Sequence, residues 1–547
     1  MAISAIWPKA TDRNEHGELT FHGNSAASLL ERFGSPLYVM DTDELRARAG
    51  GFVQAAAKAF PTATTHVSYA GKAFLSKEVC RIVSQEGMLI DTCSMGEMRI
   101  ALAAGIPGRR LVLHGNNKSD AELELAIAEG FNKIVVDSPD DPERVASIAR
   151  RLGKRARVMV RVTCGIHAGG HEYISTAHED QKFGLALLPA GADPKIFDVL
   201  DGLGKGCGNS AQTVPTTVGD TDAAADTGAD ADADGRNDAI RYPYDVGDVK
   251  PTDTELALAR AMDAVANGPA VAVLKDIAAR SNDLELVGIH SHIGSQIHDA
   301  NAFIQAGQRM MLLRRTFYAT DAYVLPEVDL GGGYSVAYTD DEEAMDIPRE
   351  LARLSEAVAT VNKALGMPAP IISFEPGRSI VGPAGVTLYR VGTIKHVALP
   401  ADTKDDQGHR ISQRTYVSVD GGMSDNIRPM LYGANYTVAV AGFAGGADAD
   451  GAGCMKQTGE DDGSMIARVV GMHCESGDVL VRECRLPHDL KRGDILAIPV
   501  TGAYGRTMAS NYNQALIPAV VAVSEQDAHL MMRRQTVDDL LGLDVSA

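Results

Sequence analysis

Cysteine is scarce, with seven thiols in 547 residues at positions 80, 93, 164, 207, 454, 474 and 484 and no C-x-x-C pair among them. So odd and scattered a set argues against a disulfide framework and a structural zinc site, and the expectation is reduced thiols and no metal. Long apolar runs are missing as well. No stretch approaches the roughly eighteen apolar residues that span a bilayer. The opening nine residues have neither a basic start with a long apolar segment nor a small-residue cleavage site, so a cytoplasmic protein without a membrane partner is expected. Positive charge is in deficit. With 52 Lys and Arg against 72 Asp and Glu, the formal charge is -20, which opposes nucleic-acid binding because phosphate contacts require clustered cations. Seven Asp and one Arg fall in residues 211–240, so part of that excess lies in one short stretch.

What is present is apolar content of 45%, enough for a large core, and a length that suggests two or more domains. After an extended Pro36–Met40 and a helix expected over 43–60, a rhythm begins. Short apolar runs lie near 65–70, 88–92, 110–114, 133–137, 156–163, 284–290, 326–330 and 370–374, with helical spacing of Ala, Leu, Ile and Val in most gaps. Eight runs alternating with helices predict an α/β fold, a TIM-type (β/α)8 barrel, and their continuous hydrophobicity suits strands buried on both faces. Ser119-Asp120-Ala121-Glu122 has the form of a capping box where the helix after the third run should start.

Beyond 385 the pattern changes to short β-type runs at 386–395, 415–419, 466–472 and 494–500, divided by Gly- and Asp-rich turns. This predicts a second, all-β, barrel-like domain over 386–547, joined by residues 1–38, with the barrel over 39–385. Two stretches break the pattern. Residues 202–248 and 442–463 are rich in Gly, Asp and Ala and poor in large apolar residues, and are read as disordered insertions. Asp230 to Gly235 imitates an EF-hand start, but the twelfth position is Arg241, and low complexity accounts for it better.

In barrels of this type chemistry sits at the C-terminal ends of the strands. Lys72 follows the first run. Asp91, Ser94 and Glu97 close the second; His114, Asn116, Asn117 and Lys118 follow the third; Arg161 and the loop 167–182 belong to the fifth. The sixth ends in His290-Ser291-His292-Ile293-Gly294-Ser295-Gln296, the seventh in Gly331-Gly332-Gly333, and the eighth in Glu375-Pro376-Gly377-Arg378-Ser379. A lysine desolvated at a strand end can serve as an imine-forming amine. Glycines followed by Gly-Arg at the last two loops would let backbone N–H groups and a guanidinium approach a phosphate, although the triplet also reads as a plain turn. Together they point to an aldehyde bearing a phosphate, pyridoxal 5′-phosphate. Glu375 could then keep the pyridine nitrogen protonated, or simply pair with Arg378. His292 could stack on the ring, or be a satisfied core histidine.

The motifs at 69–73 (Y-A-G-K-A), 115–119 (G-N-N-K-S), 171–176 (H-E-Y-I-S-T), 182–184 (K-F-G), 292–295 (H-I-G-S), 375–378 (E-P-G-R), 420–425 (D-G-G-M-S-D), 428–432 (R-P-M-L-Y), 474–478 (C-E-S-G-D) and 502–505 (G-A-Y-G) closely resemble those of the fold-type III pyridoxal-phosphate decarboxylases, the diaminopimelate branch in particular. The resemblance covers most of the chain outside the two insertions. It implies Lys72 as the Schiff-base lysine, Glu375 as pyridinium partner and His292 as the stacking residue. It also implies cofactor contacts from Asp91, Arg161, Ser295, Gly332, Gly333, Gly377, Arg378 and Tyr504. Arg378, Arg428, Tyr432 and Tyr504 match substrate-binding positions, and Glu475 the position that reads the distal amine. Cys474 matches a proton donor that arrives from the neighbouring subunit, so a homodimer with shared sites is implied. The implied reaction converts meso-diaminopimelate to L-lysine and CO2; a decarboxylase of ornithine, arginine or lysine is the alternative. A metal hydrolase using His290 and His292 as ligands is disfavoured, since it leaves Lys72 and the glycines without a role. Thr163-Cys164 departs from the Asn-Pro common after the fifth strand, and the acidic insertion is longer than usual.

Overall fold

Strands buried on both faces must close on one another or be covered, and here they close. The computed structural model describes residues 3–166, 181–203, 251–444 and 463–546. Most of the two expected insertions, 204–248 and 445–462, and the motif at 171–176 lie outside the described residues. Eight parallel strands form the ring: Thr65–Ala70, Leu89–Thr92, Leu111–Leu113, Lys133–Val136, Ala156–Thr163, Leu284–His290, Glu327–Asp329 and Ile371–Phe374. Lys133–Val136 pairs with Ala156–Thr163, and Ile371–Phe374 pairs back onto Thr65–Ala70, which closes the ring. These are the eight runs expected, each within about two residues of its expected bounds.

The helices outside the ring begin where a side chain satisfies their first free N–H groups. Asp41 caps Thr42–Ala59, Ser76 caps Lys77–Gln85 and Ser94 caps Met95–Ala103. Ser119 forms with Glu122 the expected capping box on Asp120–Glu129, and Thr252 with Glu255 forms another on Asp253–Ala266. These caps sit at or near the strand ends. They fix where each strand-to-helix loop turns and hence where its polar residues project.

The all-β region is organised on one long strand, Gly385–Ala398. Its first half pairs with Leu37–Asp41 and with Ile495–Pro499, and its second half with Gln413–Val419. Leu37–Asp41 also pairs with Ala519–Val523, so an N-terminal strand lies inside a sheet built from the end of the chain. The sheet continues through Ser464–Val470 and Val479–Pro487. Strands Ala439–Gly442, Val479–Pro487, Ala519–Val523 and Ala528–Met532 go beyond the four runs expected. Val479–Pro487 escapes a search for apolar runs because Arg482, Glu483 and Arg485 interrupt it, as suits a strand with one face toward water.

The two regions meet tightly at the end of the first barrel strand. The Tyr504 N–H donates to the Ala73 carbonyl at 2.8 Å, and the Thr507 hydroxyl donates to the same oxygen at 3.1 Å. A Cβ on Gly502 would stand 1.9 Å from the Val381 carbonyl oxygen, so only glycine allows this approach. Among the described residues no helix is long and apolar enough to cross a membrane.

Candidate active site

Lys72 lies in a single 3-10 turn, Gly71–Ala73, directly after the first barrel strand. The side chain is exposed at the barrel mouth, where a desolvated lysine was expected. The turn itself is buried against the loop after the eighth strand, since a Cβ on Gly377 would meet the Ala70 and Ala73 side chains at 2.9 and 3.1 Å. Thus the backbone under Lys72 is fixed while its amine is free to reach. Its charge is felt across the cleft, drawing down the carboxyls of Asp91, Glu97 and Glu375 and opposing protonation of His292.

Below Lys72 lies a floor of buried ionisable groups. His290 Nε2 and Glu375 Oε2 are 3.2 Å apart and hydrogen-bonded. His114 Nε2 stands 3.2 Å from the other Glu375 oxygen and 3.4 Å from Asp91 Oδ1, off the axis of a hydrogen bond. Glu375 Oε1 and both Asp91 oxygens are therefore buried without an aligned donor among the described residues. Burial raises the Asp91 pKa well above normal, with the Asp329 carboxylate adding to it. Burial also raises Glu375 and depresses His114, His290 and His292. Farther down, burial would raise Glu327 too, but the Lys133 ammonium hydrogen-bonded to it outweighs burial and brings that carboxyl to about 2.

His292 and the glycine triplet form one unit. The Gly332 N–H donates to His292 Nδ1 at 3.1 Å, and the Gly331 N–H donates to Asp329 Oδ1 at 3.0 Å. A neutral His292 that accepts at Nδ1 carries its proton on Nε2. Added Cβ atoms on Gly331, Gly332 and Gly333 would come within 2.5, 2.2 and 2.5 Å of carbonyl oxygens of Ser291, Glu375 and Gly294. The missing side chains thus serve first to let three loops pack together. Of the triplet, only the Gly333 N–H has no acceptor among the described residues.

The wall toward the β region is cationic. Arg378 donates through Nη2 to Ser295 Oγ at 3.0 Å and through Nη1 to the Tyr338 hydroxyl, and its guanidinium lies 4.6 Å over the Tyr504 ring. Arg428 donates to the Tyr436 hydroxyl and lies 4.5 Å over the Tyr338 ring. Burial works against the charge of Arg428, yet the Tyr436 and Tyr338 hydroxyls outweigh it and raise its pKa. Neither guanidinium has a carboxylate partner among the described residues, so Glu375 does not pair with Arg378. Tyr504 holds a left-handed φ of +59°, as does Val500 just before it. That backbone is costly for residues other than glycine, and for a β-branched valine most of all.

Arg161, expected among the cofactor contacts, is buried at the end of the fifth strand. Its guanidinium lies 4.4 Å over the Phe183 ring and 3.9 Å from Asp137, and burial lowers its pKa. Gly184 is pinned to the same place by its N–H on Asp137 Oδ1 at 2.8 Å. Cys474 and Glu475 lie apart, on the loop between Ser464–Val470 and Val479–Pro487. Cys474 is exposed on its own chain. Glu475 Oε1 accepts from the Gly477 N–H at 3.3 Å. Tyr432 closes the short helix Arg428–Tyr432 and is half-buried. Tyr436 and Tyr338, which no motif marks, hold Arg428 and Arg378. Lys118, from the third strand's motif, is a buried clasp, its ammonium on Asp141 at 3.1 Å and on the Gly115 carbonyl at 2.6 Å. His290 and His292 turn to different partners, Glu375 and the Gly332 N–H.

The chain matches known proteins over nearly its whole length. Residues 51–194 and 266–382 match the family described as pyridoxal-dependent decarboxylase, pyridoxal binding domain. The chain is 37% identical over 544 residues to the diaminopimelate decarboxylase of Mycobacterium tuberculosis, covering 99% of this chain and 98% of that protein. It is 38% identical to the one from Corynebacterium efficiens, covering 99% and 94%. The chain belongs to the diaminopimelate decarboxylase family. A solved member from M. jannaschii, in complex with L-lysine, superimposes with a TM-score of 0.71 at 24% identity, covering 99% of this chain and 98% of that one, and so shares the fold.

The residues suit the cofactor this family takes. The buried Glu375 Oε1 without a donor fits a protonated ring nitrogen, and the Gly333 N–H, Ser295 and Arg378 fit a phosphate. Lys72 is the exposed amine beside both.

Proposed function

We propose that this protein removes the carboxylate from the D-configured carbon of meso-diaminopimelate, giving L-lysine and CO2, with pyridoxal 5′-phosphate held by Lys72. The observation that carries the reading is the pair Arg378 and Arg428, two buried guanidiniums whose partners are hydroxyls and ring faces instead of carboxylates. A buried cation held only by neutral groups is poised for an anion. One suits the cofactor phosphate, the other a substrate carboxylate. An ornithine-type substrate has no second carboxylate to offer.

The bound cofactor supplies an electron sink for the pair left when CO2 departs. The chain does the rest. Lys72 would hold the cofactor through Nζ, the one atom of the exposed side chain able to form an imine. His292 offers a flat face from the sixth-strand loop, held by Gly332. Asp91, Arg161, Gly332 and Gly377 shape the walls around the ring, and Tyr504 packs against Arg378. Arg428, with Tyr432 nearby, takes the distal carboxylate, and Glu475 takes the distal amine.

Cys474 delivers the proton to the carbon that lost CO2, from a second copy of the chain. Its exposure supports this, as do the apolar residues around it: Met430, Leu431, Met472 and Tyr512 are all exposed, and Met430 packs on Gly477 of the same loop. Such a patch beside a reactive group suits burial against a partner, so the working unit is a homodimer with shared sites.

CO2 release from meso-diaminopimelate, ornithine, arginine and lysine, measured beside Lys72→Ala, tests the reading. Release from meso-diaminopimelate alone, lost in the variant, is expected. A wild-type protein with no cofactor band that borohydride bleaches would overturn the cofactor assignment, and release from ornithine only would overturn the substrate.

A further inference from the structure

Glu375 is asked to be an anion where anions are disfavoured. Burial and the nearby Asp91 carboxylate both raise its pKa. A carboxyl that kept its own proton could not hold a ring nitrogen in the protonated form. Something in the floor must favour the ionised state.

Two imidazoles stand where that could happen. His290 Nε2 lies 3.2 Å from Oε2, and His114 Nε2 lies 3.2 Å from Oε1. Their rings meet edge to face with centroids 5.2 Å apart, so each is held by the other. They come from the ends of the third and sixth strands, on either side of the carboxylate. A neutral imidazole with Nε2 toward a carboxylate carries its proton there and leaves Nδ1 bare. His290 Nδ1 is indeed buried without a partner among the described residues. The other charges around the pair are Asp91 and Asp329, which oppose ionisation of Glu375, and Lys72, Lys133 and Arg161, which favour it.

Building on the cofactor reading above, we infer that His114 and His290 are positioning residues: each, uncharged, turns its Nε2–H onto one oxygen of Glu375, and together they keep that carboxylate ionised and aimed at the cofactor ring nitrogen. Hydrogen bonds to the charged form offset the cost of burying it. His114 is already within reach but off axis, and binding of the ring would need only a small turn of the imidazole.

The test uses the full-length enzyme with His114→Leu, His290→Leu and the corresponding Gln variants, each made alone and in a Glu375→Gln background. The readouts are kcat, KM, the pH titration of the bound cofactor's absorbance, and the Kd of pyridoxal phosphate for the apoenzyme. Each Leu variant is expected to lower kcat about 30- to 100-fold with KM within about threefold, because it removes an interaction that acts on the reacting state. Its cofactor absorbance should become pH-dependent where wild type stays flat, because the carboxyl loses a donor to its ionised form. Gln, which keeps a donor, should restore most of the loss. In the Glu375→Gln background either Leu change should cost less than about threefold, since coupled residues are non-additive.

Equal losses in both backgrounds would overturn the inference, because the histidines would then act elsewhere. If a Leu variant does not fold, the corresponding Phe variant, which keeps a flat ring and lacks the donor, is compared across the two backgrounds by the same criterion. His114, His290 and Glu375 could also reach a common ion, their ligand atoms lying within 4.8 Å of one another. One zinc per chain in purified apoenzyme, lost in the variants, would replace the clamp with a metal site. A wild type without a bleachable cofactor band would defeat the cofactor reading itself, which is a separate result.

Discussion

The floor of the cleft and its wall toward the β region carry opposite surpluses. On the floor Asp91 and Glu375 are buried with too few donors among the described residues, and Lys133 is already engaged by Glu327 and Asp329. On the wall Arg378 and Arg428 are buried among Tyr338, Tyr436 and Tyr504 with no carboxylate partner among the described residues. Neither surplus is quenched by the other, although Glu375 and Arg378 are three residues apart in sequence. The separation is a template: a cation is wanted below and anions are wanted beside it. A protonated pyridine with a phosphate and a second carboxylate satisfies both demands.

Breaking the floor should cost most. Lys133→Met leaves Glu327 and Asp329 buried without their cation, and a loss of about 3–5 kcal/mol is expected in denaturant unfolding of the apoprotein. A loss under about 1 kcal/mol would show that the floor tolerates more negative charge than its geometry implies.

Breaking the wall should show in binding instead of stability. Arg428→Met should lower kcat/KM for meso-diaminopimelate about 100- to 1000-fold, mostly through KM, as expected for a lost charge-assisted contact of about 3–4 kcal/mol. The cofactor band should survive. Tyr436→Phe removes only the hydroxyl that holds Arg428, and about a tenfold rise in KM is expected. An unchanged KM in that variant would mean the ring face of Tyr338 suffices.

One acid on the β side blurs the contrast. Burial pushes the Asp425 carboxyl up to about 7, against the pull of the Tyr389 hydroxyl and the Gly422 N–H. Because the folded-state value is raised, its contribution to stability is complete below the unfolded pKa near 4 and is lost as pH rises through about 7. Between those limits wild type should lose up to about 1.4 kcal/mol per pH unit relative to Asp425→Asn. Parallel melting-temperature profiles for the two proteins from pH 4 to 8 (roughly the window set by the two pKa values) would show that Asp425 does not titrate there.

Much of the barrel was legible because its strands are short, continuous apolar runs, the form that burial on both faces requires. The helix start at Asp120 was legible for a local reason, the capping side chain of Ser119 just before an apolar pattern. The candidate residues at strand ends, such as Glu375 and His292, were visible once the strands were placed. Tyr338 and Tyr436 were not legible. Each is an aromatic residue in a loop, and its partner Arg378 or Arg428 is met only in three dimensions. Lys118 misleads in the opposite direction, since the motif places it at a strand end and the fold turns it inward to Asp141. His114 and His290 were visible as polar residues, but their relation to Glu375 depends on ring closure, which brings strands three, six and eight around one axis.

The strand Leu37–Asp41 lies in the sheet between neighbours that begin at Gly385 and Ala519. A ribosome delivers it early and its partners late. While the barrel is being synthesised, this segment, whose five residues are all buried in the finished protein, has no edge to join. Pairing so distant in sequence is slow and leaves apolar backbone waiting. The all-β region can therefore close only after the barrel that its strands flank in sequence has been made, and the turn that carries Lys72 receives its hydrogen bonds from Tyr504 and Thr507 late as well. The lysine's setting waits for a residue 434 positions further along the chain.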